Sequence, residues 1–201
     1  ILELWDGEYK YGVTNTPIAS TVLPQTNLIP DGTKGLRMRS FLTGHSFGGN
    51  ENCAEFCPKT HNFVVNDQYN YSQYTMRDDC GEKPVYPQNG TGVYNRAGWC
   101  PGLDVKWYEY EFTDVMSAGE NFKVDYQFDS YTYNGEASFD PNYRIATYLF
   151  LYDAINFSVD AEITDIISPS GKTTHSRKNP ICQSPEIKIR NSGSENLTSL
   201  R

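Results

Sequence analysis

The sequence predicts an all-β protein, a sandwich or barrel of many short strands, and three observations predict it. Apolar residues alternate with polar ones at period two, and helical periodicity is almost absent. Aromatics make up 14% of the chain, 15 Tyr, 10 Phe and 3 Trp, residue types that favour pleated, half-buried surfaces. Turn-forming clusters, "PDGTKG", "GGNEN", "PQNGTG" and "YNGEASFDPN", cut the chain into short runs. The clearest strand is "FKVDYQFD", with Phe122, Val124, Tyr126 and Phe128 on one face and Lys123, Asp125, Gln127 and Asp129 on the other. "YRIATYLFLYD" (143–153) is apolar on both faces, as a central sandwich strand would be. "LRMRSFLTG", "THNFVVND" and "VKWYEYEFTD" read as further strands. The stretch 44–102 is long, rich in loops and holds the unusual residues, which is where a rigid sheet carries function.

After about residue 158 the texture changes to Ser/Thr-rich, with plausible strands only near 161–167 and 186–190. Two readings stand for 159–201: a linker with the incomplete start of an Ig-like β module, or a tail that adds an edge strand to the first domain, 1–158. A formal net charge of -8 without a Lys/Arg cluster repels phosphate backbones, which argues against nucleic acid as a partner. No run of about 18 apolar residues exists, so no membrane-spanning helix is expected. The start, "ILELWDGEYKYG", lacks the basic and apolar regions of a signal peptide, so the chain reads as mature, trimmed or cut from something longer.

Chemistry concentrates in "NCAEFCPKTHNF" (52–63), where two cysteines four apart flank Glu55 and His61 follows. A zinc site could use Cys53, Cys57, His61 and His45, but it leaves Cys80 and Cys100 over, and neither lies in a C-x2-C knuckle. A thiol nucleophile could pair Cys57 with His61, although the adjacent Cys53 would oxidise it in a secreted setting. The favoured reading is a Cys53–Cys57 disulfide that points Glu55 in one direction, with Cys80–Cys100 closing the long loop and Cys182 left for the C-terminal piece. So short a loop yields little unfolded-state entropy, so this bridge would serve geometry more than stability.

"NCAEFCPKTHNFVVN" followed by "YNRAGWCPG" (94–102) resembles the C-terminal half of the peptide-N-glycosidase F family, which carries C-A-E-W-C, R-T-H and D-R-A-G-W-C-P-G in that order. The resemblance covers about residues 36–152. It implies an antiparallel eight-stranded jelly roll, one of two packed side by side in the family, and a secreted or cell-surface bacterial protein. It implies hydrolysis of the amide joining an asparagine side chain to the innermost GlcNAc of an N-glycan, with no metal and no cofactor. Residue by residue, the family's important glutamate falls on Glu55, its active-site arginine on Arg96 and a nearby tryptophan on Trp99, while its disulfides fall on Cys53–Cys57 and Cys80–Cys100. His45 matches a substrate-side histidine. Thr43 and Phe56 stand where the family has tryptophans, which reduces the surface for stacking on sugar. The family's primary catalytic aspartate belongs to an N-terminal jelly roll that this chain lacks, so this half is expected to be inactive alone and to need that partner.

Amide hydrolysis needs a carboxylate to hold water and a group to stabilise a developing oxyanion. Glu55 and Arg96 suit those roles, and Trp99 and His45 suit substrate binding. The bland alternative pairs Glu55 with Arg96 across the loop and makes Trp99 core. The rival function is a non-catalytic jelly roll that binds glycan or protein. His61 reads as a satisfied, partly buried structural histidine, and His175 receives no role.

Overall fold

The computed structural model describes residues 1–83, 89–133, 135, 139–168 and 184–200. In chain order its strands are β1 (Leu2–Lys10), β2 (Gln25–Leu28), β3 (Gly35–His45), β4 (Phe47–Gly48), β5 (Cys53–Ala54), β6 (Thr60–Val65), β7 (Tyr69–Tyr74), β8 (Met76–Arg77), β9 (Arg96–Ala97), β10 (Trp107–Glu111), β11 (Asn121–Gln127), β12 (Asn142–Tyr152), β13 (Ala161–Ser168) and β14 (Glu186–Asn191). The expected all-β sandwich is observed: two four-stranded sheets run β1-β12-β3-β10 and β2-β11-β6-β7, antiparallel throughout. Numbering only these eight strands along the chain, the sheets read 1-8-3-6 and 2-7-4-5, the order of a jelly-roll wrap.

Period-two patterning explains the packing. Along β3 every second residue is buried, and β11 buries Phe122, Val124 and Tyr126 while Lys123 and Asp125 face outward. Trp5 of β1 reaches across the sandwich to Phe63 of β6 and Tyr126 of β11, with ring centroids 6.4 and 5.9 Å away. Each such ring contributes roughly 1.5–3 kcal/mol by leaving water. β12 is central, between β1 and β3, but it is not buried on both faces. Tyr143, Ile145, Thr147 and Leu149 enter the core, whereas the other face is only half covered. There the Arg39 guanidinium lies 4.4 Å from the Trp107 ring and 5.5 Å from that of Phe150, and Arg37 lies 5.4 Å from Tyr152. Cation–π contact and aliphatic stems take the place of a second layer.

One open side of the sandwich is closed by tyrosines. Tyr110 of edge strand β10 donates its hydroxyl to the Ser72 carbonyl at 3.2 Å, and Tyr108 donates to that of Tyr74, so β7 presents fewer bare carbonyls. β13 and β14 pair with each other and belong to neither four-stranded sheet. Arg190 of β14 reaches Glu109 of β10 at 3.0 Å, and the Ser194 and Glu195 amides donate to Phe157 and Ser158. His175 and Cys182 lie outside the described residues.

Candidate functional site

The site grows from the far end of β3. Ser46, in the left-handed region at φ 59°, turns the chain so that β4 folds back on β5, with Phe47 opposite Ala54 and Gly48 opposite Cys53. Glu55 follows directly. Its N–H donates to the Ser46 carbonyl at 3.2 Å, its own carbonyl accepts from Ala97 at 2.8 Å, and the next amide, Phe56, donates to Asn52 at 3.0 Å. A disulfide joins Cys53 to Cys57, Cα atoms 4.9 Å apart, so neither sulfur is a thiolate or a metal ligand. The metal and thiol readings of this stretch give way to the clamp.

Arg96 arrives from the other side on β9, whose partner β8 sets Met76 opposite Ala97 and Arg77 opposite Arg96. Two glycines permit the approach. A Cβ on Gly98 (φ +74°) would stand 1.7 Å from the Leu42 carbonyl oxygen, and one on Gly44 would stand 2.4 Å from that of Ala54. A second disulfide, Cys80–Cys100, closes the loop leading to and from β9. Beside it Arg77 grips Asp79 with both ends of its fork, at 2.8 and 2.6 Å.

The two elements meet in an ion pair: Arg96 Nη1 donates to Glu55 Oε1 at 2.8 Å, with the arginine side chain 3% and the glutamate side chain 12% exposed. Arg96 Nε also donates to the Tyr94 carbonyl at 3.3 Å, and Nη2 to that of Thr91. Burial pushes the Glu55 carboxyl above its usual range, against the pull of the Arg96 guanidinium. The guanidinium carbon lies 5.0 Å from the Phe56 ring centre and 4.7 Å from that of Trp99. Trp99 stacks in turn on His45 at 5.4 Å and donates its indole N–H to the Gly44 carbonyl at 2.8 Å. Burial holds the half-buried His45 below its ordinary pKa, helped by the Arg144 and Arg96 charges and opposed by Glu8; its Nε2 shares a 2.8 Å hydrogen bond with Thr43.

Glu55, Arg96, Trp99 and His45 are therefore brought together, with Cys53–Cys57 and Cys80–Cys100 bracketing them. His61 stands apart in the sandwich core, fully buried rather than partly. Its Nδ1 accepts from the Asp129 amide at 3.1 Å, while Nε2 has no hydrogen-bond partner among the described residues. Sequence reasoning passed over Phe47 and Tyr94, which border the site at 44% and 59% exposure. The available signal was position alone: each lies two residues from a singled-out residue, His45 or Arg96. Among the described residues no group of three or more His, Cys, Asp or Glu is placed to hold a metal ion.

Comparison with known proteins agrees with the fold. A curated relative, peptide-N(4)-(N-acetyl-beta-D-glucosaminyl)asparagine amidase F of Elizabethkingia miricola, is 28% identical over 127 residues, 60% of this chain and 35% of that protein. The solved structure of PNGase F, a glycosylasparaginase from Flavobacterium meningosepticum, superposes with a TM-score of 0.65 at 23% identity, covering 76% of this chain and 51% of that one. PNGF-II superposes with a TM-score of 0.51 at 17% identity, covering 65% of this chain and 24% of that one. At those identities the two structures show a shared fold, and the chain spans about a third to a half of the PNGase F-type relatives. Residues 15–150 match the family described as peptide-N-glycosidase F, C terminal, a span that contains the Cys–Glu–Cys clamp and the Arg96 strand, and the chain belongs to that family.

Proposed function

We propose that this chain is the C-terminal half of a secreted or cell-surface glycoamidase, which hydrolyses the amide between asparagine and the innermost GlcNAc of an N-glycan. The observation that carries the reading is Glu55: a carboxylate clamped between a disulfide and a β-ladder, 2.8 Å from a buried guanidinium. Burial raises its pKa, which makes it a stronger base than an exposed carboxylate and suits it to orient water or a sugar hydroxyl. Arg96, with all three nitrogens engaged, holds Glu55 in place and keeps positive charge beside the scissile amide. Trp99 and His45 shape the substrate side. The curated relative's name describes this amide hydrolysis, and two disulfides fit an oxidising, extracellular compartment. The acid that completes catalysis comes from an N-terminal jelly roll, and no metal or cofactor takes part.

Release of glycan from a denatured glycoprotein by the full-length protein tests this. Glu55→Gln keeps the side chain's shape, removes its charge and is expected to lower the rate at least about 100-fold. An unchanged rate refutes the catalytic role. The closed arrangement of Arg96, with Nε, Nη1 and Nη2 all bonded within the chain, favours a second reading: a non-catalytic module that binds glycan or protein. In that case the full-length protein binds and releases nothing. We read residues 159–201 as a linker and the opening of an Ig-like module. The ribbon β13–β14 supports this, because its paired isoleucines, Ile163 with Ile189 and Ile166 with Ile187, remain between 41% and 57% exposed.

A further inference from the structure

Trp99 is already packed against the Arg96 guanidinium and the His45 imidazole. Phe56 is engaged too, with Arg96 at 5.0 Å from its ring centre. Next to Phe56, open aromatic surface belongs to Phe47 and Tyr94. Both rings meet Phe56 edge-on, with centroids at 5.0 and 6.3 Å and interplanar angles of 69° and 82°. The three rings thus form a continuous strip, and its middle member, Phe56, lies against the Arg96 guanidinium.

Both positions are set by the site's own framework. Phe47 stands opposite Ala54 in the short ladder that delivers Glu55. Tyr94 is held by its amide, which donates to Thr91 at 3.0 Å, and by its carbonyl, which accepts from Arg96. A phenyl and a phenol ring left 44% and 59% exposed contrast with Phe63, Phe112 and Tyr143, which the same fold buries completely. A single exposed ring is ordinary. Two that share one neighbour beside a clamped carboxylate make a binding surface with one apolar and one polar part.

We propose that Phe47 and Tyr94 form a stacking platform for the pyranose rings of an N-acetylglucosamine-containing ligand bound at Glu55. This rests on the glycan reading of the site and names the residues that set its affinity. One face of such a sugar carries axial C–H bonds and packs on an aromatic ring, while its hydroxyls and acetamido N–H donate to a carboxylate. An anionic ligand fits less well, because Arg96 is buried, with its side chain 3% exposed and each of its three nitrogens donating within the chain.

The test is an NMR titration of the chain with N,N'-diacetylchitobiose, which follows ring and amide shifts of Tyr94 and Phe47. Wild-type chain is expected to bind with shifts at both residues. Tyr94→Leu and Phe47→Leu, which keep apolar bulk and lose the ring, each weaken binding about fivefold. Tyr94→Phe binds like wild type, and it separates ring stacking from a lost hydroxyl. All three variants keep the wild-type melting temperature, since the positions are exposed. Leucine variants that bind like wild type, while Glu55→Gln binds more weakly, overturn the platform and leave the glycan reading standing. A wild-type chain that shows no shift at millimolar sugar overturns the platform, and glycan release by the full-length protein then decides the glycan reading separately.

Discussion

His61 lies fully buried among Tyr11, Tyr126, Phe128 and Tyr143, whose ring centroids are 5.0 to 6.1 Å from its own. Burial pulls its pKa down to about 3, with Lys59 adding to the effect and Asp129 opposing it. Because the folded value lies below the unfolded one of about 6.5, the neutral ring's stability is fully present above pH 6.5 and drains as pH falls toward 3. At pH 5 the loss from this residue alone is about 2 kcal/mol. His61→Phe should flatten the fall in urea midpoint between pH 7 and pH 5, and an unchanged slope would contradict that burial. The sequence assigns His61 a structural place but not its depth. Its distance from the clamp follows from β6 carrying it into the core, a tertiary fact that "CPKTH" does not encode. The clamp is legible because C-A-E-F-C puts the acid midway between its cysteines. The stacking of Arg96 between Phe56 and Trp99 is not, since those three come from two separate loops.

At the scale of elements, legibility follows alternation. β3, β6, β10, β11 and β12 are readable because apolar positions repeat at period two. β1 escapes that reading because a register shift between Glu3 and Trp5 buries Leu4 and Trp5 in succession. β2 and β7 are edge strands, and in β7 Gln73 is the one fully buried residue, so their polar texture resembles loop. The short ladders β4–β5 and β8–β9 are two residues per strand and exist because the site's glycines let them touch β3. Gly98 is the strictest case. Gly98→Ala must displace β9 from the Leu42 carbonyl and adopt a left-handed backbone, and we expect a loss of at least about 3 kcal/mol in urea unfolding. A loss below about 1 kcal/mol would mean that β9 is not seated as described.

The whole molecule is a sandwich whose one elaborated end gathers both disulfides, the buried ion pair and the exposed rings, while the ribbon β13–β14 lies outside both sheets. The jelly-roll wrap explains the gathering: β3 ends there, β6 begins there, and the loop that holds β9 returns to them. The chain spans about half of its solved relative, and under the proposed function its single clamped carboxylate is half of a catalytic site. The most direct measurement is Asn-to-Asp conversion, followed by mass spectrometry, of a denatured N-glycoprotein incubated with this chain alone and with the chain joined to the N-terminal jelly roll that the proposed function requires. The expected result is no conversion by the chain alone, conversion by the joined protein, and its loss on Glu55→Gln. Conversion by the isolated chain, or a joined protein indifferent to Glu55, would contradict the half-site reading.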